Sequence, residues 1–127
     1  MKYKVKQETK PHLPTFGKYK AVAVHHDTIE SDQIVREVEQ RFRMSRGAVE
    51  GVLSTLSEII RTHLQHGDKV RLEDLGLLKL EIESEKVDTE KDFKPRKHIR
   101  GVRLHFIPES RGGKPTLYQD IKFEREK

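Results

Sequence analysis

Apolar and polar residues alternate over residues 1–8 (MKYKVKQE), with Tyr3 and Val5 on one side and Lys2, Lys4 and Lys6 on the other. A period of two is that of a half-buried strand. Lys10-Pro11-His12-Leu13-Pro14-Thr15-Phe16-Gly17 interrupts the ladder with two prolines and a glycine, and residues 18–25 (KYKAVAVH) resume it as a second strand. From Ile29 the period lengthens. Ile34, Val35, Val38 and Phe42 fall on one helical stripe, with Ser31 as the expected N-cap and Asp32 in the first turn. Val49, Val52, Leu53, Leu56, Ile59, Ile60 and Leu64 mark a longer second helix, capped by Ser45 and ended by Gly67. Only Arg43-Met44-Ser45 separates the two, so they are expected to form a helical hairpin. The period of two then returns: Val70 and Leu72, Leu75 to Glu83, and Ile99, Val102, Leu104 and Phe106 read as strands. The last two of these read as a long hairpin with a charged, projecting tip. Pro108, Gly112, Gly113 and Pro115 punctuate the chain before Leu117, Gln119, Ile121 and Phe123, which read as a terminal strand. The pattern is α+β.

Composition narrows the class. The 127 residues are 33% apolar and 37% charged, with no tryptophan and no cysteine. Disulfides and thiolate metal sites are thereby excluded, which fits a reducing compartment. No run approaches the roughly 18 apolar residues of a membrane span, and Met-Lys-Tyr-Lys-Val-Lys lacks the apolar segment of a secretory signal. A soluble, cytoplasmic protein is expected. The net charge is +5, unevenly spread: +5 over residues 1–24, −4 over 25–83, +3 over 84–103 and +1 over 104–127. Clustered positive charge favours a polyanion through counterion release.

The stretch Ser31 to Leu80 resembles the HU/IHF family of bacterial histone-like DNA-bending proteins. It carries a short capped helix, the Met44-Ser45 link, a long helix ending Leu64-Gln65-His66-Gly67-Asp68, and then Val70-Arg71-Leu72-Glu73-Asp74-Leu75-Gly76-Leu77-Leu78. Downstream, Phe106-Ile107-Pro108 is similar to the family's Phe-x-Pro at the end of the returning strand. Extended relatives with extra terminal strands, of the kind found in Bacteroides-type bacteria, are the nearer comparison. The resemblance implies an HU/IHF-like helical hairpin plus antiparallel sheet with a projecting β-arm and extra N- and C-terminal strands. In those terms residues 1–28 are an N-terminal strand extension, 29–108 an HU-like DNA-binding domain with its arm at about 84–101, and 109–127 a strand-like tail. The terminal strands are expected either to pair with each other or to extend the core sheet. The family pattern also implies a homodimer with a shared core, to which Val52, Leu56, Ile59, Leu75, Leu77 and Phe106 are suited. Two departures stand out. The family's Arg-Asn-Pro arm tip is absent, and Glu109-Ser110-Arg111-Gly112-Gly113-Lys114-Pro115 replaces its C-terminal helix.

The basic arm is the expected DNA-binding site: Lys86, Lys91, Lys94, Pro95, Arg96, Lys97, Arg100 and Arg103. No acid interrupts residues 94–103. On a strand, Lys97 and Arg103 would share one face, and Arg96 and Arg100 the other. Two such arms could embrace double-stranded DNA in its minor groove with little sequence preference, bending or compacting it in the nucleoid. Phe93 or Pro95 could serve as an apolar wedge between base pairs. Alternatively, these two residues only close the hairpin. The acids Glu85, Asp88, Glu90 and Asp92 favour the competing reading, an HU-fold interaction or scaffold module that has lost DNA binding. RNA or single-strand binding would want stacking aromatics, for which only Phe93 qualifies. Lys2, Lys4, Lys6, Lys10, Lys18 and Lys20 form a second basic surface, readable as a phosphate-contacting flank or as protection of a strand edge.

Catalysis and cofactors find no support in the sequence. His63 and His66 lie three apart and His25-His26 are adjacent, but no carboxylate is spaced to complete a metal chelate. Arg111-Gly112-Gly113-Lys114 is too short for a phosphate loop, and no nucleophile motif is present. The expectation is a non-enzymatic protein with no cofactor and no small-molecule substrate.

Overall fold

The computed structural model describes residues 1–110 and 112–127; Arg111, one residue of the expected strand-like tail, lies outside the described residues. In chain order the elements are β1 (Lys2–Gln7), β2 (Tyr19–Ala23), α1 (Ser31–Phe42), α2 (Arg46–Gln65), β3 (Val70–Leu72), β4 (Gly76–Ser84), α3 (Pro95–His98), β5 (Ile99–Pro108) and β6 (Glu124–Arg125). Single 3-10 turns occur at Glu90–Asp92 and Thr116–Tyr118. They divide into two compact units, Met1–Ile34 with Asp120–Lys127, and Val35–Gln119.

The first unit is a three-stranded sheet of order β2-β1-β6. β1 and β2 are antiparallel from Tyr3↔Ala23 to Gln7↔Tyr19, and β6 lies parallel to β1 at Lys2↔Glu124 and Tyr3↔Arg125. Of the two placements left open for the terminal strands, they take the first and pair with each other. The terminal strand is shorter and later than its alternation suggests. Leu117 to Phe123 is not a strand: Pro115 leads into the 3-10 turn, and Asp120 takes a left-handed φ of 57° that breaks any ladder. Leu117 and Phe123 remain exposed, so their spacing of two had no sheet face to serve.

The two helices of the hairpin form as the periodicity requires. The first helical bond of α1 runs from the Ile34 N–H to the Glu30 carbonyl, so the cap is Glu30, one residue before the expected Ser31. Arg43, at φ 54°, turns the chain between the helices. Ser45 caps α2 by accepting from the Ala48 N–H at 3.2 Å. At the other end Gly67, at φ 90°, donates to the Leu64 carbonyl while the Asp68 N–H donates to that of His63. That pair of bonds is the Schellman arrangement for which glycine is favoured.

The second sheet has the order β3-β4-β5 and is antiparallel throughout. β4 and β5 pair from Gly76↔Pro108 to Ser84↔Ile99, with an irregularity at Glu83/Ser84. Leu78↔Phe106, Leu80↔Leu104 and Ile82↔Val102 form its apolar face, and Lys79↔His105 and Glu81↔Arg103 its polar one. Among the described residues the buried apolar side chains are only Val35, Val49 and Leu64. No helix among them is long and apolar enough to cross a membrane.

Candidate functional site

Beyond Ser84 the chain leaves the strand ladder and folds into a compact knuckle instead of continuing as two strands. His98 organises it. Its Nδ1 accepts the Lys94 N–H at 2.8 Å, its carbonyl accepts the Glu85 N–H at 2.8 Å, and the Phe93 ring lies 5.5 Å from its imidazole. His98 is buried although its neighbours are charged. Nothing in the sequence singled it out, since a lone histidine in a basic run carries no periodic signal.

Pro95 opens α3 at a position where its missing N–H costs nothing, so residues 95–98 turn as a helix. The expected sharing of strand faces is therefore corrected: Arg96 and Lys97 project from a helical turn, at about 100° per residue. Only Arg100 and Arg103 stand on β5. Phe93 is half-buried against His98, whereas Pro95 is exposed.

The knuckle brings four of the expected cations together. Lys86, Lys91, Lys94 and Lys97 line an open cleft of about 600 Å³ with Asp88, Asp92 and His98. Arg96 is exposed on the same short helix. Among the described residues, none of these five basic side chains takes part in an ion pair.

Arg100 and Arg103 are held differently. Arg100 donates to Glu85 Oε1 through Nη2 (2.5 Å) and Nε (3.2 Å), and Arg103 Nη2 lies 3.2 Å from Glu81 Oε2. Lys79 also approaches Glu81, at 3.4 Å. The Arg100 hydrogen bond and charge hold the Glu85 carboxyl below its ordinary value, and Glu85 in turn pushes Arg100 up. At Glu81, desolvation pushes the carboxyl up, but Lys79, Arg103 and His105 together outweigh it and leave it lowered. The eight expected site residues thus fall into four cleft lysines without ion pairs among the described residues, Pro95 and Arg96 on the adjoining helical turn, and two arginines engaged by acids of the hairpin.

Two of the histidines considered as metal ligands, His63 and His66, have other work. His63 Nδ1 pairs with Asp68 Oδ2 at 2.9 Å, and His66 Nδ1 donates to the Thr62 carbonyl at 2.8 Å, both closing the end of α2. Among the described residues no group of three His, Asp or Glu side chains could hold a metal ion.

The chain is similar to known proteins in two comparisons. A family model described as "HU domain fused to wHTH, Ig, or Glycine-rich motif" matches residues 1–125. A crystal structure from Bacteroides vulgatus, described as a candidate bacterial DNA-binding protein, superposes with a TM-score of 0.53 at 12% identity, covering 84% of this chain. This chain spans 41% of the length of that one. No curated protein matches.

Proposed function

Since the chain belongs to the HU-HIG family of fused HU domains, we propose that it is a non-enzymatic, histone-like protein that binds duplex DNA through its hairpin arms as a homodimer. The observation that carries this reading is the cleft group, Lys86, Lys91, Lys94 and Lys97, with Arg96 beside it, all exposed and, among the described residues, without ion pairs at the end of a β-hairpin. Such cations gain by releasing counterions condensed on a duplex, and they read its backbone and minor groove with little regard for sequence. Two arms neutralising about six phosphates give a slope of log affinity against log salt near −5. Of the two wedge residues, Phe93 is occupied by His98, so any unstacking of base pairs falls to the exposed Pro95. A fluorescence energy-transfer assay on end-labelled duplex tests it: Pro95→Ala reduces bending if Pro95 is a wedge and leaves it unchanged if it is not.

The homodimer is supported by what the monomer leaves uncovered. Val52 and Ile59 on α2 are 57% and 50% exposed, and Ile82 and Val102 on the hairpin 65% and 61%. A second copy would bury these faces.

A second reading, a scaffold that no longer binds DNA, is favoured by one observation: the acids Glu81 and Glu85 already occupy Arg103 and Arg100. Gel-shift titration on random-sequence duplex at two salt concentrations separates the readings. Salt-sensitive binding supports the histone-like protein, and no binding at low salt supports the scaffold.

A further inference from the structure

The sheet of the first unit carries a charge arrangement that strand pairing alone does not explain. Lys6 stands directly opposite Lys20 across the β1–β2 ladder, and Lys4 is diagonal to Lys20 on the same face. Lys18, which accepts the Glu8 N–H through its carbonyl at 2.9 Å, continues the row. All four side chains are exposed, and among the described residues none takes part in an ion pair. Directly opposed like charges, with Cβ atoms about 5 Å apart, destabilise a strand pair. Protection of a strand edge would explain a lysine on the open side of β2, but not two lysines facing each other across a ladder.

Among the described residues no ion pair joins the row to the acids nearby, including Glu126, whose N–H donates to the Tyr3 carbonyl at 2.8 Å. Glu8 is half-buried, with its carboxylate accepting the Lys10 N–H at 3.0 Å, and Glu124 stands opposite Lys2 at the far end. Tyr3, Val5, Tyr19, Ala21 and Ala23 occupy the other face by alternation. The lysine face therefore has no aromatic ring on which single-stranded bases could stack, and its apolar residue Val22, opposite Lys4 and half-buried, is too little for insertion into a lipid interface. What it matches is a rigid polyanion read by charge alone.

We infer that Lys4, Lys6, Lys18 and Lys20 form a second contact surface for the phosphate backbone of duplex DNA, separate from the hairpin arm. This extends the DNA-binding reading, and the test keeps the two apart. Binding of the full chain to a random-sequence duplex is followed by fluorescence anisotropy over a salt series. The compared proteins are wild type, a sheet variant (Lys4, Lys6, Lys18 and Lys20 all →Gln), its charge-preserving counterpart (the same four →Arg) and an arm variant (Lys86, Lys94, Arg96 and Lys97 all →Gln).

The expected result is a sheet variant whose slope of log affinity against log salt is shallower by about 3, with the arginine counterpart keeping the wild-type slope. Its melting temperature should be unchanged or higher at low salt, because the opposed charges are gone. A sheet variant with wild-type affinity and slope overturns the inference while leaving the arm reading intact. Loss of binding in the sheet variant alone, with the arm variant unaffected, supports the inference and removes the arm reading. Salt-sensitive binding to phosphatidylserine vesicles that requires these four lysines, with the DNA slope unchanged, overturns it in favour of a membrane surface.

Discussion

A Cβ on Gly76 would lie 2.4 Å from the Ile107 carbonyl oxygen and 2.7 Å from the Phe106 ring, both on the neighbouring strand. Backbone cannot give way as a flexible side chain can, so Gly76→Ala must push β4 from β5. The expected cost is about 3 kcal/mol, measured as a lowered midpoint in urea; an unchanged midpoint would show that the strands are not this close. On the proposed reading, Glu81 and Glu85 bear on function more than on fold. Each occupies an arginine that the arm could otherwise offer to phosphate. Such solvent-exposed pairs are weak and easily exchanged, so Glu81→Gln with Glu85→Gln should tighten duplex binding about 2- to 5-fold at low salt, and weaker binding would argue that the acids help position the arm. Both carboxyls are depressed below the ordinary 4.5. The stability these pairs contribute is therefore complete above that pH and lost as the pH falls through the depressed values. Carboxyl-carbon NMR should find both midpoints under 4.5, and a midpoint at or above it would remove that pairing.

The elements that could be read in advance are those whose information is local and repeated. α2 declares itself through more than four turns of apolar spacing, with Ser45 and Gly67 acting at its ends as their chemistry dictates. The β4–β5 pair is likewise legible from alternation that matches across the ladder, Leu78↔Phe106 to Ile82↔Val102. The knuckle was illegible because it depends on one ring nitrogen meeting one amide, a contact that leaves no period behind. The tail misled for the opposite reason: its alternation was real, but β1 offers β6 pairing only at Lys2 and Tyr3. The candidate cations were visible as a basic run. Their division into a cleft group and two acid-paired arginines was not, because it depends on the register that puts Arg103 opposite Glu81 and on the bend that brings Arg100 to Glu85. At this scale His98→Ala tests the knuckle. Loss of the imidazole leaves the half-buried Lys94 N–H without its acceptor, at about 1–2 kcal/mol. Hydrogen exchange at that amide should quicken about tenfold while exchange within α2 stays unchanged. Equal exchange in both proteins would mean that the imidazole does not hold the tip.

For the whole molecule the deciding fact is how little of the second unit's apolar surface one copy covers. Among the described residues the three buried apolar side chains, Val35, Val49 and Leu64, are a small core for a helical hairpin and a three-stranded sheet. Each fully buried Leu, Ile or Val contributes about 1.5–3 kcal/mol, and Leu56, Ile59, Ile82, Val102 and Leu104 contribute little while they face water. An open apolar groove of about 440 Å³, lined by Ile60, Leu64, Leu80 and Leu104, also remains where α2 meets the sheet. If a second copy fills these surfaces, folding and association are one equilibrium, and stability depends on protein concentration. A tenfold rise in concentration then adds about 1.4 kcal/mol, and the melting temperature should climb by a few degrees. Leu56→Lys would place a charge in the middle of the shared surface and should abolish both the concentration dependence and cooperative melting. A melting temperature independent of concentration over two decades, with a monomer's mass in light scattering, would mean that one copy is stable with these faces in water, and the two-armed grip on a duplex would lose its basis.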